Sequence, residues 1–141
     1  MAQVDFGFLN DLIGFRLKQA HARYAGEAEK RMKDLGLSPQ QFSILALVAL
    51  NPGIIQSRLM DSLYLSRSTC GDMVDQLVRN GLMRREPIDR RSFALGLTDE
   101  GETRLSAAKT LVFDGTTPSK ARLTAQEQQD LLRLLAKLAD H

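Results

Sequence analysis

The sequence predicts an all-α protein with one small two-stranded β-hairpin. An amphipathic helix that begins at Ser66 ends at Asn80-Gly81, a common C-cap signal, and two short segments with strand periodicity follow at once. A shorter helix precedes it, and only Tyr64-Leu65 separate the two, as in a helix-turn-helix. This order of elements predicts a winged helix-turn-helix, with further helices at both ends of the chain.

The first two helices precede this arrangement. The first is expected from Asp5 to Asp34, ending before Gly36, and its apolar positions spread wider than one stripe, so we expect it to be covered on more than one side. The second begins at Ser38-Pro39-Gln40-Gln41, where a serine N-cap, a proline and a glutamine form a strong start signal. It holds the longest apolar run, residues 42–50, and ends at Asn51-Pro52-Gly53.

The third helix spans roughly Ile55 to Leu63, and the fourth begins at Ser66, whose hydroxyl can cap the exposed backbone amides. The apolar residues of the fourth helix recur at i, i+3, i+4, i+7 and i+8, so this face is expected to point to the core. They are Cys70, Met73, Val74, Leu77 and Val78. We therefore expect Cys70 to be a buried structural thiol and not a redox sensor.

The hairpin and the helix after it follow. Strands are expected at about Leu82–Glu86 and Ser92–Leu97, the second with the alternation of a half-buried strand. Thr98-Asp99-Glu100 starts a fifth helix with acids in its first turn, where the helix dipole favours them. This helix should end near Phe113, because the cluster at 114–118 breaks helices.

A capping box formed by Thr124 and Glu127 starts the sixth and last helix, which should run to about Ala139. Its five leucines exceed what one face of so short a helix can bury. We expect one continuous domain in which a winged part lies between two helical ends. The expected boundaries are 1–36, 37–105 and 106–141.

Composition sets broad limits on the function. A chain of 141 residues with 43% hydrophobic and 26% charged residues is typical of one soluble globular domain. No apolar run reaches membrane-spanning length, and the N-terminus lacks the basic leader of a secretory signal. The single cysteine cannot form an internal disulfide, which fits a reducing compartment, so we expect a cytoplasmic protein.

Arginines concentrate in and before the hairpin. Five of them lie between Arg79 and Arg91 against two acids, and no lysine occurs between Lys33 and Lys109. Guanidinium groups suit bidentate contacts and insertion into a narrow groove better than ammonium groups do. The hairpin therefore favours contact with nucleic acid, and the alternative is an ordinary solvated hairpin.

The exposed side of the fourth helix carries candidate DNA contacts. Ser66 and Ser68, with the first-turn amides, suit phosphate. Arg67, Thr69 and Gln76 suit base edges, pairing guanidinium with guanine, methyl with thymine and amide with adenine. Asp72 on the same side repels phosphate, so a plain solvated face stays open as the alternative.

The hairpin tip reads Asp89-Arg90-Arg91. An arginine whose side chain is already fixed loses less rotamer entropy on entering a groove. Asp89 could hold Arg91 in this way, because side chains two residues apart in an extended segment lie on the same side. We therefore expect Arg91 to enter the minor groove. Arg84, Arg85 and Arg90 are expected to contact phosphate.

From Leu37 to about Leu105 the chain resembles the MarR family, most specifically in LVRNGLMRR, DRRS and LTDEG. The resemblance implies a homodimeric transcriptional regulator, usually a repressor, on a pseudo-palindromic double-stranded DNA operator, with dimerisation helices at both ends of the chain. It also implies a small-molecule effector bound between the dimerising and DNA-binding parts. The chain departs from the family pattern at two places. Gly71-Asp72 stands where the family usually has a hydroxyl residue and a basic residue, and Tyr64 stands where it usually has glycine.

Four residues of the first helix are candidates for binding that effector. They are Arg16, His21, Arg23 and Tyr24. They could meet phenolic or other aromatic acids, or their thioesters. The alternatives are surface or dimer salt bridges for the arginines and a plain helix-face role for His21.

An enzyme is not expected. The histidines are His21 and His141, and the sequence has no metal-binding cluster, phosphate-binding loop or nucleophile elbow. We expect no cofactor. The remaining alternative is a winged-helix module that binds a protein and no specific DNA; Asp72 and Asp75 favour it, and the arginines of the hairpin argue against it.

Overall fold

The computed structural model describes residues 2–115 and 117–140 and confirms a helical chain with one two-stranded antiparallel sheet. His141 and Thr116, the latter in the predicted breaker cluster, lie outside the described residues. In chain order the elements are α1 (Ile13–Met32), α2 (Pro39–Leu50), α3 (Gln56–Ser62), α4 (Arg67–Arg79), β1 (Met83–Pro87), β2 (Phe93–Leu97), α5 (Asp99–Asp114), α6 (Pro118–Ala121) and α7 (Ala125–Ala139). We call the β1–β2 hairpin, residues 83–97, the wing.

The chain divides into two compact units. One comprises residues 31–114, and the other combines the residues up to Lys30 with those from Gly115 onward. The first unit thus extends beyond the predicted winged part, 37–105, because Met32 and Ala108 are buried in its core. No helix in the described parts of the chain is both long enough and apolar enough to cross a membrane.

The core of the 31–114 unit confirms the predicted apolar faces. Ile44 and Leu45 in the apolar run of α2 are fully buried, as are Cys70 and Leu77 on α4. Burial raises the pKa of the Cys70 thiol, which keeps it protonated. A thiol in this state is a poor nucleophile, as expected for a structural cysteine.

Helix α2 begins at the predicted capping box. The Ser38 hydroxyl accepts a hydrogen bond from the Gln41 backbone N–H at 3.1 Å, and the Gln41 Oε1 accepts one from the Ser38 N–H at 3.0 Å. Pro39 occupies the first helical position, where its missing N–H costs nothing. The start signal therefore fixes both the position and the polar contacts of this helix end.

The prediction of one helix from Asp5 to Asp34 is wrong at its start. A 3₁₀ turn at Gly7–Asp11 is followed by Leu12 in extended backbone, and α1 begins only at Ile13. Gly7 adopts φ +49°, and its N–H donates to the Asp5 carboxylate at 2.9 Å. Such local side-chain bonds compete with the helical hydrogen bonds and break the pattern.

The sequence interpretation also missed two features. Thr117 caps the four-residue helix α6 by accepting from the Lys120 N–H at 3.2 Å. The start signal is the same hydroxyl-proline pair that starts α2, but the neighbouring glycine suggested only a breaker. The second feature is an isolated bridge between Ile55 and Ala94, which adds backbone pairing at the outer edge of β2.

Candidate nucleic-acid interface

The N-terminus of α4 is an exposed polar surface organised by Ser66. Its hydroxyl oxygen accepts from the Thr69 N–H at 3.1 Å and donates to the Thr69 hydroxyl at 2.8 Å. Arg67 and Ser68 are exposed beside it. The first helical turn therefore presents hydroxyls, one guanidinium and the positive end of the helix dipole, which together suit an anion such as phosphate.

The wing tip is shaped by Asp89. Its Oδ1 accepts from the backbone N–H groups of Arg91 and Ser92 at 2.8 Å each, and the Ile88 N–H donates to the Ser92 carbonyl at 3.0 Å. The tip is thus a closed turn and not an extended segment. This corrects the prediction that Asp89 holds an arginine side chain, because the carboxylate holds the backbone of Arg91 while its guanidinium stays exposed.

The two arginines of β1 point to opposite faces of the wing. Arg85 pairs in register with buried Leu95, and its guanidinium forms an ion pair with Asp75 on α4. This ion pair links the wing to α4 and neutralises one of the two acids that argued against DNA. Sequence reasoning did not predict it, because the pairing depends on how strand and helix pack.

Arg84 lies against Gly96, its register partner on β2. Its Nε donates to the Glu86 carboxylate at 3.0 Å, and its Nη1 donates to the Leu97 carbonyl. Both β1 arginines therefore have partners within their own unit. Their contact with phosphate stays a prediction.

Three of the predicted arginines meet at one cleft. Arg67 from α4, Arg85 from β1 and Arg91 from the wing tip line a cavity of about 400 Å³. Gln56 and Ser57 at the start of α3 and Ser92 beside the wing tip add polar groups to its lining, and none of the three was a candidate from sequence. Arg85 is also paired with Asp75, so the attraction for a polyanion and the contacts to successive phosphates rest mainly on Arg67 and Arg91.

Gln76 lies on the same face of α4 as Thr69, since seven residues make about two helical turns. Its Oε1 accepts from the Gln41 Nε2 at 3.1 Å, a contact between α4 and the start of α2. The sequence placed Gln41 only in a capping box. Its second role could not be read there because the two glutamines are 35 residues apart.

The four effector candidates all lie exposed on α1. Arg16 and Arg23 are two turns apart on one face, whereas His21 lies roughly 140° around the helix from Arg16 at 100° per residue. The Arg16 Nε donates to the Asn10 carbonyl at 2.9 Å. The structure thus brings the two arginines to one face, with Tyr24 about 80° from Arg16 and about 100° from Arg23, and places His21 on another face.

Comparison with known proteins agrees with this geometry. The MarR family pattern matches residues 37–93, from just before α2 to the start of β2. A putative transcriptional regulatory protein for the hcr operon of Thauera aromatica is 30% identical over an alignment of 141 positions, which covers 98% of this chain and 85% of that protein.

Solved structures of the transcriptional repressor CouR share the fold over nearly the whole chain. CouR bound to a 23-mer DNA duplex has a TM-score of 0.84 and 35% identity, covering 98% of this chain and 99% of that one. CouR bound to p-coumaroyl-CoA has a TM-score of 0.85 and 33% identity, covering 99% of each chain. With its winged fold, its basic cleft and this relationship along its whole length, the chain belongs to the MarR family of transcriptional regulators.

Proposed function

We propose that this protein is a homodimeric repressor that binds a pseudo-palindromic operator and leaves it when a small aromatic effector binds. The observation that carries the proposal is the cleft where Arg67, Arg85 and Arg91 converge beside the capped N-terminus of α4. Such an arrangement suits a helix in the major groove and a wing tip at the neighbouring minor groove. The protein acts in the cytoplasm by binding and not by catalysis.

The contacts divide by chemistry. Ser66 and Ser68 bind phosphate together with the arginines Arg84, Arg85 and Arg90. Arg67, Thr69 and Gln76 reach base edges, and Arg91 enters the minor groove from the tip that Asp89 closes. Phosphate contacts fix the register of the protein on the duplex, whereas the base and groove contacts give the sequence preference.

Exposed apolar side chains support the homodimer. Leu132 and Leu138 on α7 are 70% and 57% exposed, and Phe8 near the N-terminus is 76% exposed. A large exposed apolar patch marks an interface, since monomers rarely leave one in water. In an isologous dimer the two α4 helices would lie about 34–36 Å apart, one turn of DNA.

The effector is an aromatic acid or its CoA thioester. Arg16 and Arg23 on one face of α1 can meet carboxylate or phosphate groups, Tyr24 can stack on an aromatic ring, and His21 can donate a hydrogen bond. The relationship to CouR, which has been solved with p-coumaroyl-CoA, supports a thioester.

The wing assignment is tested by Arg91→Ala on a DNA sequence selected by the wild-type protein. We expect specific binding to weaken by about 1–3 kcal/mol, the scale of one good groove contact. Wild-type binding should fall steeply with salt, each neutralised phosphate contributing roughly −0.9 to the log–log slope. Fluorescence anisotropy titrations at several salt concentrations measure both.

Arg122→Ala, which removes an exposed arginine from the other unit, is the matched control and should leave affinity unchanged. An Arg91→Ala protein with wild-type affinity would refute the role of the wing tip. Weak retention that does not depend on DNA sequence would instead identify a protein-interaction module.

A further inference from the structure

A chain of hydrogen bonds runs from the start of α2 to the exposed face of α4. The Ser38 backbone N–H donates to the Gln41 Oε1 at 3.0 Å, and the Gln41 Nε2 donates to the Gln76 Oε1 at 3.1 Å. All three residues belong to the 31–114 unit. The capping box of one helix is thus continuous with a side chain on the helix expected to read DNA.

The donor and acceptor of each hydrogen bond in this series are fixed by the chemistry of the groups. A backbone N–H only donates, so the oxygen of Gln41 must face Ser38 and its amine must face Gln76. The amine of an amide can only donate, so the group of Gln76 that faces the Gln41 amine must be the Gln76 oxygen. The amine of Gln76 then forms the free edge of the side chain, and no hydrogen bond within the described residues engages it.

We propose that Gln41 is a positioning residue that fixes the polarity of Gln76, so that α4 presents a hydrogen-bond donor at this position. The partner is a keto base, guanine through O6 and N7 or thymine through O4. Cytosine presents only an exocyclic amine there, and adenine presents one beside N7, so each sets a donor against the outward amine of Gln76, whose oxygen faces Gln41. This inference rests on the proposed function, because it needs α4 in the major groove.

The location of Gln76 agrees with a reading role. Gln76 is exposed and lies two turns from Thr69 on one face, about 10 Å along the axis. The side chain is therefore in line with the polar N-terminus of α4. An amide with one edge held loses less rotamer freedom on binding than a free one.

The decisive variant is Gln41→Glu. A glutamate preserves a capping box, as Glu127 does at the start of α7. The second oxygen of the new carboxylate can only accept, so Gln76 must turn its amine toward that carboxylate and present its own oxygen outward. In selections from randomised duplexes, the preference at one position of each half-site should move from guanine or thymine to adenine or cytosine by roughly tenfold or more.

Three further variants distinguish the orientation of the Gln76 amide from the effect of an added charge and from the loss of a side-chain contact. Gln40→Glu adds the same charge at the exposed neighbouring position and should keep the wild-type preference. Gln41→Ala leaves Gln76 able to turn either way and should weaken the discrimination between bases at this position. Gln76→Ala should abolish that discrimination. The inference is overturned by an unchanged preference in Gln41→Glu, by the same switch in Gln40→Glu, or by an unaltered preference in Gln76→Ala.

A measurement without DNA decides the polarity by itself. In NMR spectra of the free protein, the side-chain amine protons of Gln76 should exchange rapidly with water in the wild type and slowly in Gln41→Glu. Equal exchange in both proteins overturns the inference whatever the DNA result. A wild-type protein that selects no sequence refutes the proposed function and the reading role of Gln76 with it, while the exchange rates still report the polarity.

Discussion

Tyr64 shows how one residue can carry strain in a motif that otherwise follows its family. It lies in the turn between α3 and α4, where the sequence departs from the usual glycine, and it is the only described residue other than glycine with a positive φ, at +54°. A side chain in this region costs about 1–2 kcal/mol, because Cβ approaches the following carbonyl oxygen. The residue is 80% exposed, so little packing offsets this cost.

We therefore expect Tyr64→Gly to stabilise the protein by about 0.5–1 kcal/mol, the relief of strain being reduced by the extra freedom of glycine in the unfolded chain. Urea unfolding measures the change. Tyr64→Ala is the matched control, since it removes the ring and keeps Cβ. A gain in the alanine variant equal to that in the glycine variant would show that the ring, and not the backbone, is responsible.

Single residues also mark the limit of what the sequence could predict at this scale. The burial of Cys70 and the cap at Ser66 follow from spacing along one helix, and both were predictable. Gly101 was not, because a Cβ there would lie 1.9 Å from the Leu82 carbonyl oxygen, an approach made only when α5 packs on the end of the turn before β1. The Asp75–Arg85 ion pair was unpredictable for the same reason.

At the scale of elements, helix starts with a complete chemical signal were predicted to within about a residue, as at Ser38 and Thr124. The errors lie where two local signals compete. Asp5 and Gly7 form a turn that outweighs the apolar periodicity before α1, and Thr117-Pro118 starts a helix beside a glycine that suggested a loop. Hydrophobic periodicity alone does not decide such cases.

One contact between elements depends on pH. The Glu27 carboxylate on α1 accepts from the Ser119 hydroxyl at 2.8 Å and from the Ser119 N–H at 3.2 Å. Burial acts to raise the pKa of Glu27, but the hydrogen bonds from Ser119 and Thr117 and the charge of Arg23 outweigh it, and the pKa is lowered. The charged form is therefore more favourable in the folded state than in the unfolded chain.

The sign of the pH dependence follows. Because the pKa of Glu27 is lower in the folded protein, its charge stabilises the fold at pH values above the pKa of the unfolded chain, about 4.3. This stabilisation is lost as the pH falls through the pKa of the folded state. We expect Glu27→Gln to be less stable than wild type near neutral pH and the difference to close in acid. Thermal unfolding from pH 7 down to pH 3, roughly the span of this titration, measures it.

Glu29→Gln is the control for that experiment, because Glu29 is exposed on the same helix and should show no comparable pH-dependent difference. Ser119→Ala should reproduce much of the Glu27→Gln effect, since it removes the hydroxyl donor. A difference between Glu27→Gln and wild type that persists unchanged in acid would contradict the assignment to the carboxylate charge.

At the scale of the whole molecule, the proposed repressor needs an effector that changes its affinity for DNA. A ligand shifts such an equilibrium only by the difference between its affinities for the two states. If Arg16 on α1 binds an anionic group of the effector more strongly in the DNA-free state, this contact contributes to the difference between the two affinities. The bond of Arg16 to the Asn10 carbonyl already holds the guanidinium in one place.

We expect p-coumaroyl-CoA to release the wild-type protein from its selected DNA and to raise its unfolding temperature. In Arg16→Ala the concentration needed for release should rise roughly tenfold or more, the loss of one hydrogen bond to a charged group. Lys18→Ala removes a charge from an exposed site two residues away and should behave as wild type. Free p-coumarate and free CoA, titrated separately, distinguish the acid from the thioester, and a protein that responds to none of the three would refute the proposed effector class while leaving DNA binding intact.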